Sequence, residues 1–212
     1  MKLGIIGAGG HGKVVGDIAL SLNYNQIFYF DDINKSKEIK FLGDYAGKIN
    51  KINEYKAIPF IVAIGDNNKR KKIFFEFIKK EYKIISLIHP SSFVSKYAKI
   101  GKGSVVMPKT VINASTKISN SCIINTSSSI DHDNQFKDFS STGPGVKTGG
   151  NVSLGERSHI GIGSSVKQGV KIYEDCIIGA NSYVNKNCEK KSLYFGSPIK
   201  KIKIRNKFEN YL

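Results

Sequence analysis

The stretch ISNSCIINTSSSIDHDNQFKDFSSTGPGVKTGGNVSLG, residues 118–155, carries a large apolar side chain at almost every sixth position. Worked outward, the series runs from Val94 and Ile100 through Val106, Ile112, Ile118, Ile124, Ile130 and Phe136 to Leu154, Ile160, Val166, Ile172, Ile178 and Val184. Fourteen of the sixteen positions in this register are Val, Ile, Leu or Phe. Four residues after each, from Ala98 to Ser182, fourteen of fifteen side chains are small or Val. A period of six suits neither a helix, at about 3.6 residues per turn, nor a lone amphipathic strand, at about 2.0.

The period predicts a solenoid in which each hexapeptide forms one side of a triangular coil, with about five coils in residues 91–185. The large side chain fills the prism and the small one points inward near a corner. Glycines follow the apolar position at 101, 143, 149, 155, 161 and 179, where tight turns are expected to demand positive φ. Cys122 and Cys176 share a column three coils apart, at ~4.8 Å per coil about 14 Å, beyond disulfide reach. Both are expected as buried thiols, and Cys188 falls beyond the repeat. Three scattered cysteines argue against a disulfide framework or a zinc site and make the cytoplasm the expected compartment.

Residues 1–90 read differently. A strand over Lys2 to Ile6 leads into the turn GAGGHG at 7–12. A helix follows, with Val14, Val15, Ile18, Ala19 and Leu22 on one face. Ile27 to Phe30 is a second strand, ending in Asp31 and Asp32; Pro59 to Gly65 is a third. A Lys-rich helix is expected over Asn67 to Lys80, and a last strand over Ile84 to Ile88. Strand–helix alternation with short buried strands means a parallel sheet. The expected architecture is therefore an α/β, Rossmann-like mononucleotide-binding domain over 1–90 and a parallel β-helix with a basic tail over 91–212. Gly7, Gly9 and Gly12 satisfy G-x-G-x-x-G, and the two acids end the next strand, where a ribose-binding acid belongs. Such a turn offers backbone N–H groups to a phosphate. A dinucleotide oxidoreductase would need two such halves, and about ninety residues hold one.

The chain has 212 residues, 33 basic and 17 acidic, for a net charge of +16, and 40% of it is apolar. That is globular composition with a preference for anionic partners such as phosphorylated small molecules. The basic residues are dense only in the tail (Lys186, Lys190, Lys191, Lys200, Lys201, Lys203, Arg205, Lys207), and no nucleic-acid motif accompanies them, so no nucleic-acid partner is expected. No run approaches the ~18 apolar residues that span a bilayer. MKLGIIGAGG lacks the apolar segment and cleavage site of a signal peptide, so no membrane partner is expected.

The ordered set GAGGHG (7–12), FDD (30–32), AIGDNNKRK (63–71), LIHPSS (87–92), INTSSSIDHD (124–133), GGNVSLG (149–155) and GSPIKKI (196–202), with the unbroken repeat, resembles the hexapeptide-repeat acyltransferases with a left-handed β-helix. Within them it is most similar to bacterial nucleotide-amino-sugar N-acetyltransferases, of the UDP-4-amino-sugar type of the bacillosamine pathway, and to sialic-acid O-acetyltransferases. The resemblance spans nearly the whole chain. It implies acetyl-CoA as donor, no metal, a nucleotide-linked amino sugar as acceptor and a homotrimer with active sites between subunits. O-acetylation of a sialic-acid-type sugar is the alternative.

By matching position, Gly9, Gly10, His11, Asp31, Asp32 and Gly65 would contact the acceptor's nucleotide. His132 matches the family's base. Acetyl transfer to an amine needs one proton removed, a task that suits a neutral imidazole. The family's following acid is here Asp133, one methylene shorter than the usual Glu; Asp131 is a second candidate to orient the ring. Nine residues on, where a second histidine is usual for acetyl-CoA contact, stands Ser141. His159 lies 18 residues after Ser141, in the same column, and reads either as a partial replacement or as a plain surface residue. Charge developing on a thioester oxygen needs donors. The glycines at 143, 145, 149 and 150 are expected to expose N–H groups near the His132 corner, with Gly150, one coil above His132, chosen for the thioester. Gly179, Ala180, Lys200 and Lys201 complete the implied acetyl-CoA contacts.

Overall fold

The computed structural model describes residues 1–206; Lys207 of the basic tail lies outside them. The N-terminal sheet comprises β1 (Lys2–Ile6), β2 (Gln26–Phe30), β3 (Asp44–Gly47) and β4 (Phe60–Val62), all parallel, in the order β3-β2-β1-β4. Helix α1 (Gly10–Ser21) buries Val15, Ile18 and Ala19; a single turn, α2 (Ser36–Ile39), precedes β3. Helix α3 (Asn67–Lys79) follows β4, capped by the Asp66 carboxylate, which accepts the Lys69 N–H at 2.8 Å. β3 and the 3-10 turn over Ile49–Tyr55 had no periodic signal in the sequence. The expected closing strand over Ile84 to Ile88 is split. Ile84 forms one bridge to Phe60, whereas Leu87–Ile88 pairs with Val105–Val106. The coils thus begin one hexapeptide before Val94.

From there, two-residue strands stack into three parallel sheets, the faces of a left-handed β-helix. The first face runs from Leu87–Ile88 to Ile177–Ile178 and is extended by Ser192–Phe195 and the antiparallel strand Lys200–Ile204. The second runs from Phe93–Val94 to Tyr183–Val184, the third from Lys99–Ile100 to Lys171–Ile172. Strand N–H groups donate to the carbonyl seventeen residues on: Phe93 to Thr110, Val105 to Cys122 and Lys117 to Asn134, each at 2.9 Å.

The corners correct one expectation. Positive φ does not fall on the glycines that follow the apolar position. It falls three residues after that position, at 103, 109, 115, 121, 127, 133, 139, 145, 151, 157, 163, 169, 175 and 181. None of these residues is β-branched, as the left-handed region requires. The glycines after the apolar residue answer to a different constraint, the approach of the next coil. A Cβ on Gly143 would lie 2.6 Å from the Ile162 nitrogen, and one on Gly155 2.4 Å from the Glu174 nitrogen. The small column also does more than fit. Ser104, Thr116 and Ser164 each donate their hydroxyl to the carbonyl fifteen residues on, at 2.8, 2.7 and 2.9 Å.

Cys122 and Cys176 are fully buried and unbridged. Cys188 is also interior rather than beyond the prism. It forms a β-bridge with Ile172, and its thiol beside Cys176, together with burial, pushes the Cys176 thiol up. The N-terminal sheet docks on the first face, where Leu87, Val105, Met107 and Ile123 share a core with Leu3, Ile5 and Val15. Phe139, at the corner between the third and first faces, meets Phe74 edge-on at 5.5 Å. Among the described residues no helix is long and apolar enough to cross a membrane.

Leu154 is fully buried on the prism axis. Leu154→Ala is expected to lower stability by about 2–5 kcal/mol, read as a lower urea midpoint at unchanged slope.

Candidate active site

Ile130 turns into the prism at the end of the second-face strand Ser129–Ile130, and residues 131–134 form the corner before the third face. His132 projects outward there, its side chain 53% exposed. Asp133 occupies the positive-φ position (φ 59°), and its carboxylate Oδ2 meets His132 Nδ1 at 2.7 Å. Asp131 does something else: its Oδ1 accepts the His132 backbone N–H at 2.8 Å and the Asn113 amide at 3.1 Å. Asp133 therefore touches the ring and Asp131 holds the main chain. Hydrogen bonding to Asp133, with Asp131 nearby, raises the His132 pKa above its ordinary value; the His132 N–H and Asn113 hold Asp131 below the usual carboxylate range. In the neutral ring, a proton on Nδ1 facing Asp133 leaves Nε2 as an acceptor.

The ring lies flat against Gly150. A Cβ there would stand 2.5 Å from His132 Cε1 and 2.6 Å from Nε2, so only glycine leaves the imidazole its place. The Gly150 N–H has no hydrogen-bond acceptor among the described residues. The other three glycine amides are already used: Gly143, Gly145 and Gly149 donate to Ile160, Thr126 and Val166 at 2.7–2.9 Å. Gly143 and Gly145 moreover sit at the corner between the first and second faces, away from His132.

Asn134 was not singled out in the sequence, although it is the one departure in the column of small residues. Its fully buried amide donates to the carbonyls of Asp131 (2.8 Å), His132 (3.2 Å) and Gly149 (3.0 Å), tying the His132 turn to the next coil. Beside the corner runs a groove of about 650 Å³, lined by Tyr97, Lys99, Lys117, Asp133, Gln135 and Asn151.

Ser141 and His159 pair as neighbouring rungs of the first face, with Ser141 Oγ and His159 Nδ1 2.9 Å apart. His159 is not a plain surface residue: it is half-buried, and burial, with Arg70 nearby, pushes it down to about 4. Ser141 is 3% exposed and its hydroxyl also meets Asn67 Oδ1 at 3.2 Å, so it serves His159 and the N-terminal domain rather than an open ligand surface. Gly179 and Ala180 lie at the corner between the first and second faces, with the Phe195 ring over Gly179. Lys200 is exposed, and Lys201 pairs with Glu189 at 2.6 Å.

A second cavity, of about 430 Å³, opens in the N-terminal domain. Gly7, Asp31, Asp32, Ile64, Lys69 and Lys72 are among its lining residues. Gly7 and Gly12 are demanded by the fold: Gly7 has φ +105°, and a Cβ on Gly12 would lie 2.1 Å from the Gly7 carbonyl oxygen. Gly9 and Gly10, at the start of α1, face open space. Asp31 Oδ2 accepts the Ala8 N–H at 2.8 Å, pinning the glycine turn to the end of β2, and Asp32 Oδ1 accepts the Ile49 N–H at 3.3 Å. His11 Nε2 is buried without a partner, and burial, with the Arg70 charge, holds its pKa at about 3. Lys69 and Lys72, one turn apart on α3, bring positive charge to this cavity; in the sequence they were merged into a Lys-rich helix. Among the described residues no group of three or more His, Cys, Asp or Glu could hold a metal ion.

Residues 2–77 match the PglD N-terminal domain family. The chain superposes on the acetyltransferase domain of PglB from Neisseria gonorrhoeae FA1090 in complex with acetyl coenzyme A, with TM-score 0.90 and 33% identity over 95% of this chain and 98% of that one. It superposes equally on PerB from Caulobacter crescentus in complex with CoA and GDP-perosamine, with TM-score 0.87 and 31% identity over 96% and 98%. The GDP-perosamine N-acetyltransferase of Escherichia coli O157:H7 is 28% identical over 184 residues, 84% of this chain and 82% of that protein. The chain belongs to the nucleotide-amino-sugar N-acetyltransferases.

In this N-acetyltransferase the N-terminal cavity and the His132 corner lie apart within one chain. The N-terminal domain covers the first face, and His132 stands at the opposite corner, between the second and third faces.

Two outcomes follow from the geometry at that corner. Gly150→Ala is expected to displace the ring and lower thiol release from acetyl-CoA by about 100-fold at unchanged melting temperature. Asp133→Asn removes the main cause of the raised His132 pKa. The ring's NMR titration midpoint should therefore drop toward the ordinary imidazole value, shifting the acid limb of the rate profile to lower pH.

Proposed function

We propose that the chain transfers the acetyl group of acetyl-CoA to the amine of a nucleotide-linked amino sugar, with His132 as general base. The observation that carries this is the exposed imidazole held between the Asp133 carboxylate and the Gly150 backbone, with Nδ1 engaged by Asp133 so that Nε2 is left to accept a proton. Acetyl-CoA supplies the thioester. His132 Nε2 takes the proton of the neutral amine as its nitrogen bonds to the carbonyl carbon, and Asp133 stabilises the imidazolium that forms. The Gly150 N–H is placed to donate to the thioester oxygen as it gains charge. His132 then returns the proton to sulfur as the C–S bond breaks, so that free CoA thiol and the amide leave together.

The acceptor's nucleotide is assigned to the cavity of the N-terminal domain, which Asp31, Asp32, Lys69 and Lys72 line, with Gly9, Gly10, His11 and Gly65 as further proposed contacts outside that lining. Gly150, Gly179, Ala180, Lys200 and Lys201 are the proposed donor contacts, and Ser141 enters by holding His159. Because the cavity and His132 lie on opposite sides of one prism, a neighbouring copy must complete each site, which supports the homotrimer. Three buried unbridged thiols suit a reducing compartment and support the cytoplasm. O-acetylation of a free sialic-acid-type sugar would leave the nucleotide cradle without a use.

The test is thiol release with UDP-, GDP- and dTDP-linked amino sugars against free sialic acid. Turnover is expected with a nucleotide-linked amine, and His132→Ala should lower it by roughly 100- to 10,000-fold. Near-normal turnover in that variant, or preference for free sialic acid, would overturn the reading.

A further inference from the structure

Arg70 is the largest fully buried side chain among the described residues, 1% exposed. A buried guanidinium is costly unless its donors are met. Here Nη1 donates to the carbonyls of Ile64 (2.9 Å) and Gly65 (2.8 Å), Nε to that of Ser121 (2.9 Å), and Nη2 to that of Phe139 (2.8 Å) and to Asn67 Oδ1 (2.6 Å). The Asn67 amide in turn donates to the Arg157 carbonyl at 3.0 Å. Ser121, Phe139 and Arg157 are successive positions of one positive-φ corner column, eighteen residues apart. The first turn of α3 thus grips three consecutive rungs of the β-helix.

The other end of the grip is the loop that enters α3. A trans peptide points its C=O and N–H in opposite directions. Holding the Ile64 and Gly65 carbonyls on the guanidinium therefore directs the Gly65 and Asp66 N–H groups away from it. Ile64 and Lys69, on either side of these amides, line the nucleotide cavity.

We propose that Arg70 is a positioning residue for the acceptor: it fixes the 64–66 loop, and with it the nucleotide cavity, at a set height on the coils. This rests on the assignment of that cavity to the acceptor's nucleotide. Because the coils also carry the His132 corner, the grip sets where an acceptor amine held by one copy meets the imidazole of the next.

Arg70→Lys keeps the charge but loses the planar fork that spans both units. It is expected to raise KM for the nucleotide amino sugar by about 10-fold or more and to lower kcat with it, to leave KM for acetyl-CoA within about 2-fold, and to speed amide exchange in residues 63–67. Asn67→Ala, which keeps the guanidinium, should shift the same quantities in the same direction by less. A lower melting temperature with acceptor KM and loop exchange at wild-type values would overturn the proposal. If wild-type protein released no thiol with any nucleotide amino sugar, the proposed function would fall. Exchange in the 63–67 loop would still decide whether Arg70 positions it.

Discussion

The first residue of each two-residue strand from Leu87 to Ser165 hands its N–H to a carbonyl seventeen residues ahead, and that single register organises the molecule. It turns a one-dimensional period of six into vertical columns, each with one environment. The apolar column meets itself on the prism axis. The small column points its hydroxyls at the turn carbonyls of the next coil, so buried polar groups in a narrow interior are satisfied rather than avoided. A slip of one residue would invert every column at once. Side chains with unrelated local sequence therefore come to rest on each other at fixed heights.

The active corner is a local departure built into this regular frame. Asp133 reaches the His132 ring because the third residue after the apolar position is left-handed, a backbone feature shared by the corners from Gly103 to Asn181. Gly150 yields the space the ring occupies, and Asn134, longer than its column neighbours, spans the turn and the rung above it. Two further departures lie in the apolar column. Thr148 Oγ1 accepts the Asp131 N–H at 3.2 Å, and Thr142 Oγ1 accepts the Asn125 N–H at 2.9 Å. Thr148 thus supports the turn that carries His132, whereas Thr142 lies at the corner between the first and second faces.

Much of this was legible beforehand, and the reasons are uneven. The coils showed because their columns are set by burial, which residue type reports directly. His132 and Gly150 were singled out by the family resemblance, to which the repeat added that they stand one coil apart in the same column. What escaped were features set by backbone geometry. The positive-φ column betrays itself only by lacking Val, Ile and Thr, and it was misplaced onto glycines that serve close coil approach. The strand at Leu87–Ile88 was assigned to the wrong sheet because an apolar pair carries no record of its partner. His159 looked like a surface residue because nothing in a repeat reveals that a separate domain lies over that face. Arg70 and Asn67 were invisible for the same reason, since their acceptors are main-chain carbonyls far along the chain.

The stack also acts as a ruler. Each coil adds eighteen residues and a fixed rise of about 4.8 Å, so the height between the His132 corner and the terminal strand Lys200–Ile204 is counted in whole turns. Inserting or deleting one complete coil above Gly150 would move the terminal lysines by one graduation while leaving the corner untouched. The length of ligand that such a scaffold can span is therefore adjustable in discrete steps, without altering a single side chain at either end.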